Sequence, residues 1–366
     1  MNPVSRHSIA IEEIAGGGFD AIIDVRSPSE FAEDHIPGAI SCPVLDDGER
    51  ARIGTLYKQV APFEAKKAGA VLVARNVAKH IEEHFLQKPR TWRPLVYCWR
   101  GGKRSGAMAH VLRDVGWDAR TLEGGYKAYR RWVVDQLLRL PYGLRFRVVC
   151  GPTGSGKSRL LQALARAGAQ VLDLEALAAH RGSVLGSLPG RGQPSQKTFE
   201  SLLLNSLSAL DSAREIYVES ESRKIGQLQV PEALIHEMRG SRCLTLDASL
   251  ETRVALLTEE YRHFIEDRAA LEAQLDCLAG LHGRERIAQW KALAAAGRWS
   301  ELVRRLLAEH YDPAYRRSTD RNYVRLGEAD VFELAGADEL SFARTARRIS
   351  QAYGDRPAAR ARPSPA

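Results

Sequence analysis

The eight residues Gly151–Ser158, GPTGSGKS, constrain the fold more than any other part of this chain. They satisfy GxxxxGK[ST] in full. The apolar RFRVVC before them reads as a buried strand, and RLLQALARAG after them reads as an amphipathic helix. Strand, Gly-rich loop and helix in that order make a phosphate-binding loop, whose backbone N–H groups and helix N-terminus face phosphate oxygens. Gly151, Gly154 and Gly156, with Ser155 between them, permit the tight wrap. Lys157 is placed to reach the terminal phosphate, and Ser158 to ligate Mg²⁺ beside it. VLDLEAL, EIYVES and CLTLDA are further short apolar runs separated by helical stretches, which predicts an α/β domain with a parallel sheet.

The carboxylate that accompanies such a loop should end a neighbouring strand. Glu219 in EIYVESES is the first candidate for the Mg²⁺ side, with Glu221 two residues on; Asp173 and Glu175 in VLDLEA, and Asp247, are the alternatives. Residues 180–196, HRGSVLGSLPGRGQPSQ, are too polar and Gly-rich for a core element. They read as a substrate loop over the phosphate site or as a passive surface loop.

A second strand, turn and helix lies nearer the N-terminus. PLVYC (94–98) reads as a strand, WRGGKRSG as a basic Gly-rich turn, and 105–116 as a helix. Cys98 therefore ends a strand and precedes Arg100, Gly101, Gly102, Lys103 and Arg104. A helix N-terminus and adjacent cations both lower a thiol pKa. The two glycines let successive N–H groups converge on an anion, and Arg104 can close its planar fork over it. A lone cysteine is more often a small buried hydrophobe, but three cations and two glycines within six positions argue for a reactive thiol. Cys42 and Cys150 read as packed in or beside strands, and Cys243 and Cys277 as core. Five cysteines with no CxxC pair exclude a disulfide scaffold and a cysteine-type zinc site, and fit a reducing cytoplasm. The N-terminus has no apolar signal core and no run spans a membrane, so no membrane partner is expected.

These features set a first domain over 1–138, a second over 139–353 with a mostly helical stretch from about 250, and a Pro/Ala/Arg-rich, disordered tail over 354–366. Pro141 and Gly143 break the helical pattern at the first boundary. The formal charge is +8, which suggests a polyanionic partner, nucleic acid first. Residues 284–325 carry ten Lys and Arg against five acids, interleaved with Trp290, Trp299, Tyr311, Tyr315 and Tyr323. Cations for phosphates and aromatics for splayed bases suit RNA, and Arg304, Arg305, Arg316 and Arg317 are the candidates. The bland reading is a helical bundle with core aromatics and a solvated basic face.

FDAIIDVRSPSEFAEDHIPGAI, PLVYCWRGGKRSG and LEGGYKAYR resemble the signatures of the rhodanese family, over about residues 5–135. The resemblance implies a rhodanese-like domain with a parallel sheet, followed here by a P-loop NTPase-like α/β domain with a helical C-terminal region. It also implies that Asp24 and Arg26 support the active loop and that Cys98 carries a chalcogen. Sulfurtransferase rhodaneses usually have a loop one residue shorter. A cysteine, five residues and an arginine resembles cell-cycle dual-specificity phosphatases and arsenate reductases, and favours a larger anion or atom.

With GTLYK (54–58), LDLEALAAHRGSVLG, VESESRKIG and HYDPAY added, nearly the whole chain is similar to the bacterial tRNA 2-selenouridine synthase family. That resemblance implies a transferase acting on tRNA with wobble 2-thiouridine. The sulfur is first alkylated from geranyl diphosphate, and the geranylthio group is then replaced by selenium from selenophosphate. Both are substrates, Mg²⁺ accompanies the diphosphate, no tightly bound cofactor is expected, and selenophosphate synthetase is a candidate partner. Cys98 would carry selenium as a perselenide or assist the exchange directly. Two alternatives stay open: a phosphatase or arsenate reductase fused to an ATPase, and a small-molecule kinase with an inert rhodanese module.

Overall fold

The computed structural model describes residues 7–59, 61–183, 185–190 and 192–354. The tail expectation for 354–366 therefore falls, Gly354 aside, outside the described residues. The chain divides into two compact units, Met1–Gln136 with Glu200–Asn205, and Leu137–Phe199 with Ser206–Ala366. Among the described residues, no helix is long and apolar enough to cross a membrane.

Among the described residues the first unit holds five strands: β1 (Ser8–Ile9), β2 (Ala21–Asp24), β3 (Ile40–Ser41), β4 (Pro94–Tyr97) and β5 (Arg120–Leu122). They pair in parallel in the order β1-β5-β4-β2-β3. PLVY in β4 is buried at every position, as a central parallel strand must be. Ile23, Val96, Phe85, Trp92, Met108 and Leu112 fill the core beside it. The chain leaves β4 at Cys98 and turns into the helix Lys103–Val115.

The second unit opens at β6 (Arg145–Cys150), followed by β7 (Gln170–Leu172) and β8 (Glu215–Glu219). A short antiparallel pair, β9 (Lys224–Ile225) and β10 (Leu228–Gln229), precedes β11 (Arg242–Ala248) and β12 (Asp330–Leu334). The main sheet is parallel in the order β12-β11-β6-β8-β7. Central β6 is buried from Phe146 to Cys150, and the loop it feeds opens the helix Lys157–Arg166, whose Leu160, Leu161 and Leu164 pack on the sheet. The carboxyl ends of β6, β7 and β8 thus converge on one crevice, where ligands of open parallel sheets bind.

The stretch from 250 is mostly helical as expected, with one strand the sequence reading did not single out: Asp330–Leu334 pairs along β11 from Leu244 to Ala248. Its alternating burial, with Phe332 and Leu334 inward, is a strand period too short to stand out between helices. One expectation needs correction, that of Cys277. Cys277 is exposed, whereas Cys42, Cys98, Cys150 and Cys243 are buried. It caps the helix Arg268–Asp276, and Leu271 and Leu275 already occupy the inward face there, which turns the next positions outward.

Candidate functional site

At the end of β4, Cys98 is 4% exposed and its sulfur accepts two hydrogen bonds of 3.3 Å, from the Gly102 N–H and the Ser105 hydroxyl. Burial alone would raise the thiol. The Ser105 hydroxyl and the N–H groups of Ser105, Gly102 and Arg100 outweigh it and hold the pKa below its ordinary value. The thiolate is therefore stabilised by aimed N–H and O–H donors rather than by the neighbouring cations. Arg100 and Lys103 are exposed, and the Arg104 guanidinium donates to Glu30 at 2.9 Å. Ser105, seven positions from the cysteine, is the functional residue the sequence reading missed.

Gly101 lies at φ +65° and Gly125 at φ +57°, and a Cβ on either would strike the backbone of the other's loop. The Tyr126 N–H donates to the Cys98 carbonyl at 2.8 Å, so LEGGYKAYR clamps the cysteine turn from behind. Arg26 holds the Asp24 carboxylate at 2.6 Å in a buried pair, and its guanidinium lies 3.9 Å from the centroid of the Tyr126 ring. Asp24 and Arg26 therefore reach the Cys98 loop through Tyr126 and do not touch the sulfur.

The second site wraps the end of β6. Gly151, Gly154 and Gly156 all have positive φ, and a Cβ at Gly154 or Gly156 would strike Leu257 or Phe342. The Lys157 ammonium rests on the Gly151 carbonyl at 2.9 Å, and the Ser155 hydroxyl is buried without a partner. The Gly151 N–H donates to the Tyr315 hydroxyl at 2.6 Å. Arg253 donates to the Thr153 carbonyl at 2.9 Å and grips Asp312 with both nitrogens. HYDPAY is thereby fastened to the phosphate loop, a role no local spacing reveals.

Ser158 donates to Glu175 at 2.6 Å, and Glu219 accepts the Glu175 N–H at 2.7 Å. Asp173 caps the helix Leu174–Ala178. Burial raises all four acids, Asp173, Glu175, Glu219 and Glu221; repulsion from neighbouring acids adds to this for Glu175, Glu219 and Glu221, and Glu221 is pushed up to about 8. Glu219 is completely buried and its Oε2 has no hydrogen-bond partner. Hard oxygen donors, an orphaned buried carboxylate oxygen and the Ser158 hydroxyl fit Mg²⁺. Bound there by Ser158 and these carboxylates, Mg²⁺ would neutralise the charge of a phosphate group on the loop. Glu219 and Asp173 both belong to this cluster; Asp247 lies on an exposed position of β11.

A cavity of about 760 Å³ surrounds the loop, lined by Lys157, Ser158, Glu175 and Glu221 and also by His180, Arg181, Gly182 and Ser183. Residues 180–183 thus form part of the wall of the phosphate cavity. Gly182, at φ +66°, lets the backbone press against Glu221 and Glu175.

Of the aromatic residues of 284–325, Trp290 is buried and Trp299 half-buried, while Tyr311, Tyr315 and Tyr323 line the phosphate cavity. Arg304 pairs with Glu251 at 3.1 Å and Arg305 with Glu301 at 3.8 Å. Arg316 and Arg317 are exposed on the helix Asp312–Asn322.

Residues 8–131 match the rhodanese-like domain family, and residues 144–281 match the family described as the tRNA 2-selenouridine synthase AAA domain. The tRNA 2-selenouridine synthase of Nitrosomonas europaea is 40% identical over 249 residues, covering 66% of this chain and 63% of that protein, slightly less than two thirds of its length. That of Alcanivorax borkumensis is 34% identical over 326 residues, covering 80% of this chain and 88% of the relative. That of Bdellovibrio bacteriovorus is 32% identical over 352 residues, covering 83% and 90%.

Proposed function

This chain belongs to the tRNA 2-selenouridine synthase family, and from that premise we propose that it converts wobble 2-thiouridine of tRNA to 2-selenouridine by way of S-geranyl-2-thiouridine. The observation that carries the reading is the pairing, in one chain, of a thiolate-stabilising turn at Cys98 with a phosphate loop backed by buried acids.

In the first step the sulfur of 2-thiouridine attacks C1 of geranyl diphosphate, the C–O bond to the diphosphate breaks, and the N3 proton passes to water. The loop N–H groups and the Lys157 ammonium stabilise the departing pyrophosphate. S-alkylation lets the sulfur leave as a thiol. In the second step selenium of selenophosphate attacks C2 of the base, geranylthiol leaves with a proton from water, and N3 regains its proton from water. The Cys98 thiolate then takes the phosphoryl group, an S–P bond forming as the Se–P bond breaks, and water releases phosphate and restores the thiolate. This assignment needs no oxidant, whereas a Cys98 perselenide formed with release of phosphate would. Selenophosphate comes from selenophosphate synthetase, the setting is the cytoplasm, and Arg316 and Arg317 meet tRNA phosphates, with Arg304 and Arg305 in support.

The test is nucleoside mass spectrometry. Protein, Mg²⁺, 2-thiouridine tRNA and geranyl diphosphate should give the S-geranyl nucleoside, and adding selenophosphate should convert it to the selenonucleoside. Unchanged 2-thiouridine with verified reagents would overturn the reading.

A further inference from the structure

A narrow pocket of about 60 Å³ lies in the helical part of the second unit, with walls that include Leu185, Phe264, Leu271, Trp299 and Leu306. It adjoins the phosphate cavity, since Thr153, Leu257, Tyr261 and Tyr311 line both. Leu257 in turn lies against Gly154 of the phosphate loop, where a Cβ would come within 2.7 Å of it. Few polar atoms face the pocket, and two of them are already engaged. The Thr258 hydroxyl donates to the Val254 carbonyl at 2.7 Å, and the Tyr261 hydroxyl is hydrogen-bonded to Ser183. A nucleobase or ribose entering here would lose its water and find few donors or acceptors in return, a desolvation it does not recover. A hydrocarbon chain has no such penalty, and each methylene withdrawn from water strengthens binding by roughly fourfold.

We propose that this pocket receives the hydrocarbon tail of the diphosphate ester whose head sits on the phosphate loop. Phe264, Leu271 and Trp299, which line the apolar pocket but not the phosphate cavity, set the length of chain accepted. The proposal rests on the reading that this loop holds a prenyl diphosphate, and it assigns the residues that choose among such esters.

Calorimetric titration of the full chain with geranyl diphosphate, farnesyl diphosphate and inorganic pyrophosphate tests it. The unaltered protein should bind geranyl diphosphate at least tenfold more tightly than pyrophosphate. Leu271→Trp, which fills the pocket, should cost at least tenfold in geranyl diphosphate affinity and leave pyrophosphate within twofold, the latter also reporting an intact fold. Trp299→Ala should raise the ratio of farnesyl to geranyl diphosphate affinity at least fivefold. If Leu271→Trp loses pyrophosphate as well, Trp299→Ala alone decides, and an unchanged ratio overturns the proposal. Normal geranyl diphosphate affinity in Leu271→Trp would overturn the pocket assignment and leave the family reaction standing. Equal affinity of the unaltered protein for geranyl diphosphate and pyrophosphate would overturn the prenyl reading and the pocket together.

Discussion

The Cys98 turn and the phosphate loop are built alike and furnished differently. Each closes the carboxyl end of a central parallel strand, each uses positive-φ glycines, and each opens a helix whose first N–H groups face the site. In the first, the donors converge on a sulfur, and Arg104 donates to Glu30 rather than to the sulfur. In the second, the donors leave room for an outside anion, and four acids crowd beside it, Glu219 fully buried and Asp173, Glu175 and Glu221 half-buried. One local geometry therefore presents two different faces. One nest is filled by its own sulfur, and the other opens on a cavity flanked by acids.

The largest separation should come from Ser158→Ala. It removes the hydroxyl that ties the loop to Glu175 and the Mg²⁺ side, and geranylation should fall by roughly a hundredfold, read by single-turnover nucleoside analysis. An effect below threefold would mean the acids behind Ser158 are structural.

Next is pH. Glu221 binds a proton up to about 8 in the fold but only to its ordinary 4.5 when unfolded. The fold holds the extra proton, so stability is greatest below the ordinary value and declines as pH rises through about 8. The Tm of metal-free protein should drop by several degrees from pH 5 to 8.5, Glu221→Gln should flatten the slope, and Mg²⁺ should raise Tm more at pH 8 than at pH 5. A slope identical in Glu221→Gln would remove the acid cluster from the comparison.

Ser105→Ala sharpens the other side. Losing one hydroxyl donor, worth about 1–1.5 kcal/mol, should raise the Cys98 pKa and slow iodoacetamide alkylation near neutral pH by up to about tenfold, with the rate–pH midpoint displaced upward. An unmoved midpoint would mean the N–H groups alone hold the thiolate. The smallest effect is expected on tRNA. Arg316→Ala with Arg317→Ala should weaken filter-measured tRNA binding a few-fold and reduce its salt slope by up to about 2, while Arg304→Ala, already paired with Glu251, should change it less than twofold.

The parts legible in the sequence are those that local spacing encodes. GPTGSGKS and CWRGGKRSG announce their loops because glycine and cation positions within one turn fix the geometry. Glu219 was legible as a strand end. The Ser158–Glu175 bond was not, because it joins two helices through tertiary packing. Ser105 reads as a helix residue, and only the fold turns its hydroxyl onto Cys98. Arg253 and Asp312, 59 residues apart, leave no local signal at all, and β12 is a five-residue alternation between helices.

The central claim is a division of labour between the two loops, and the most direct measurement crosses two variants with two substrates. Lys157→Ala and Cys98→Ser are each given 2-thiouridine tRNA with geranyl diphosphate, and pre-geranylated tRNA with selenophosphate, under single turnover. Lys157→Ala should lose geranylation by a hundredfold or more and keep selenation within threefold, and Cys98→Ser should do the reverse. Loss of both steps in both variants would contradict the account.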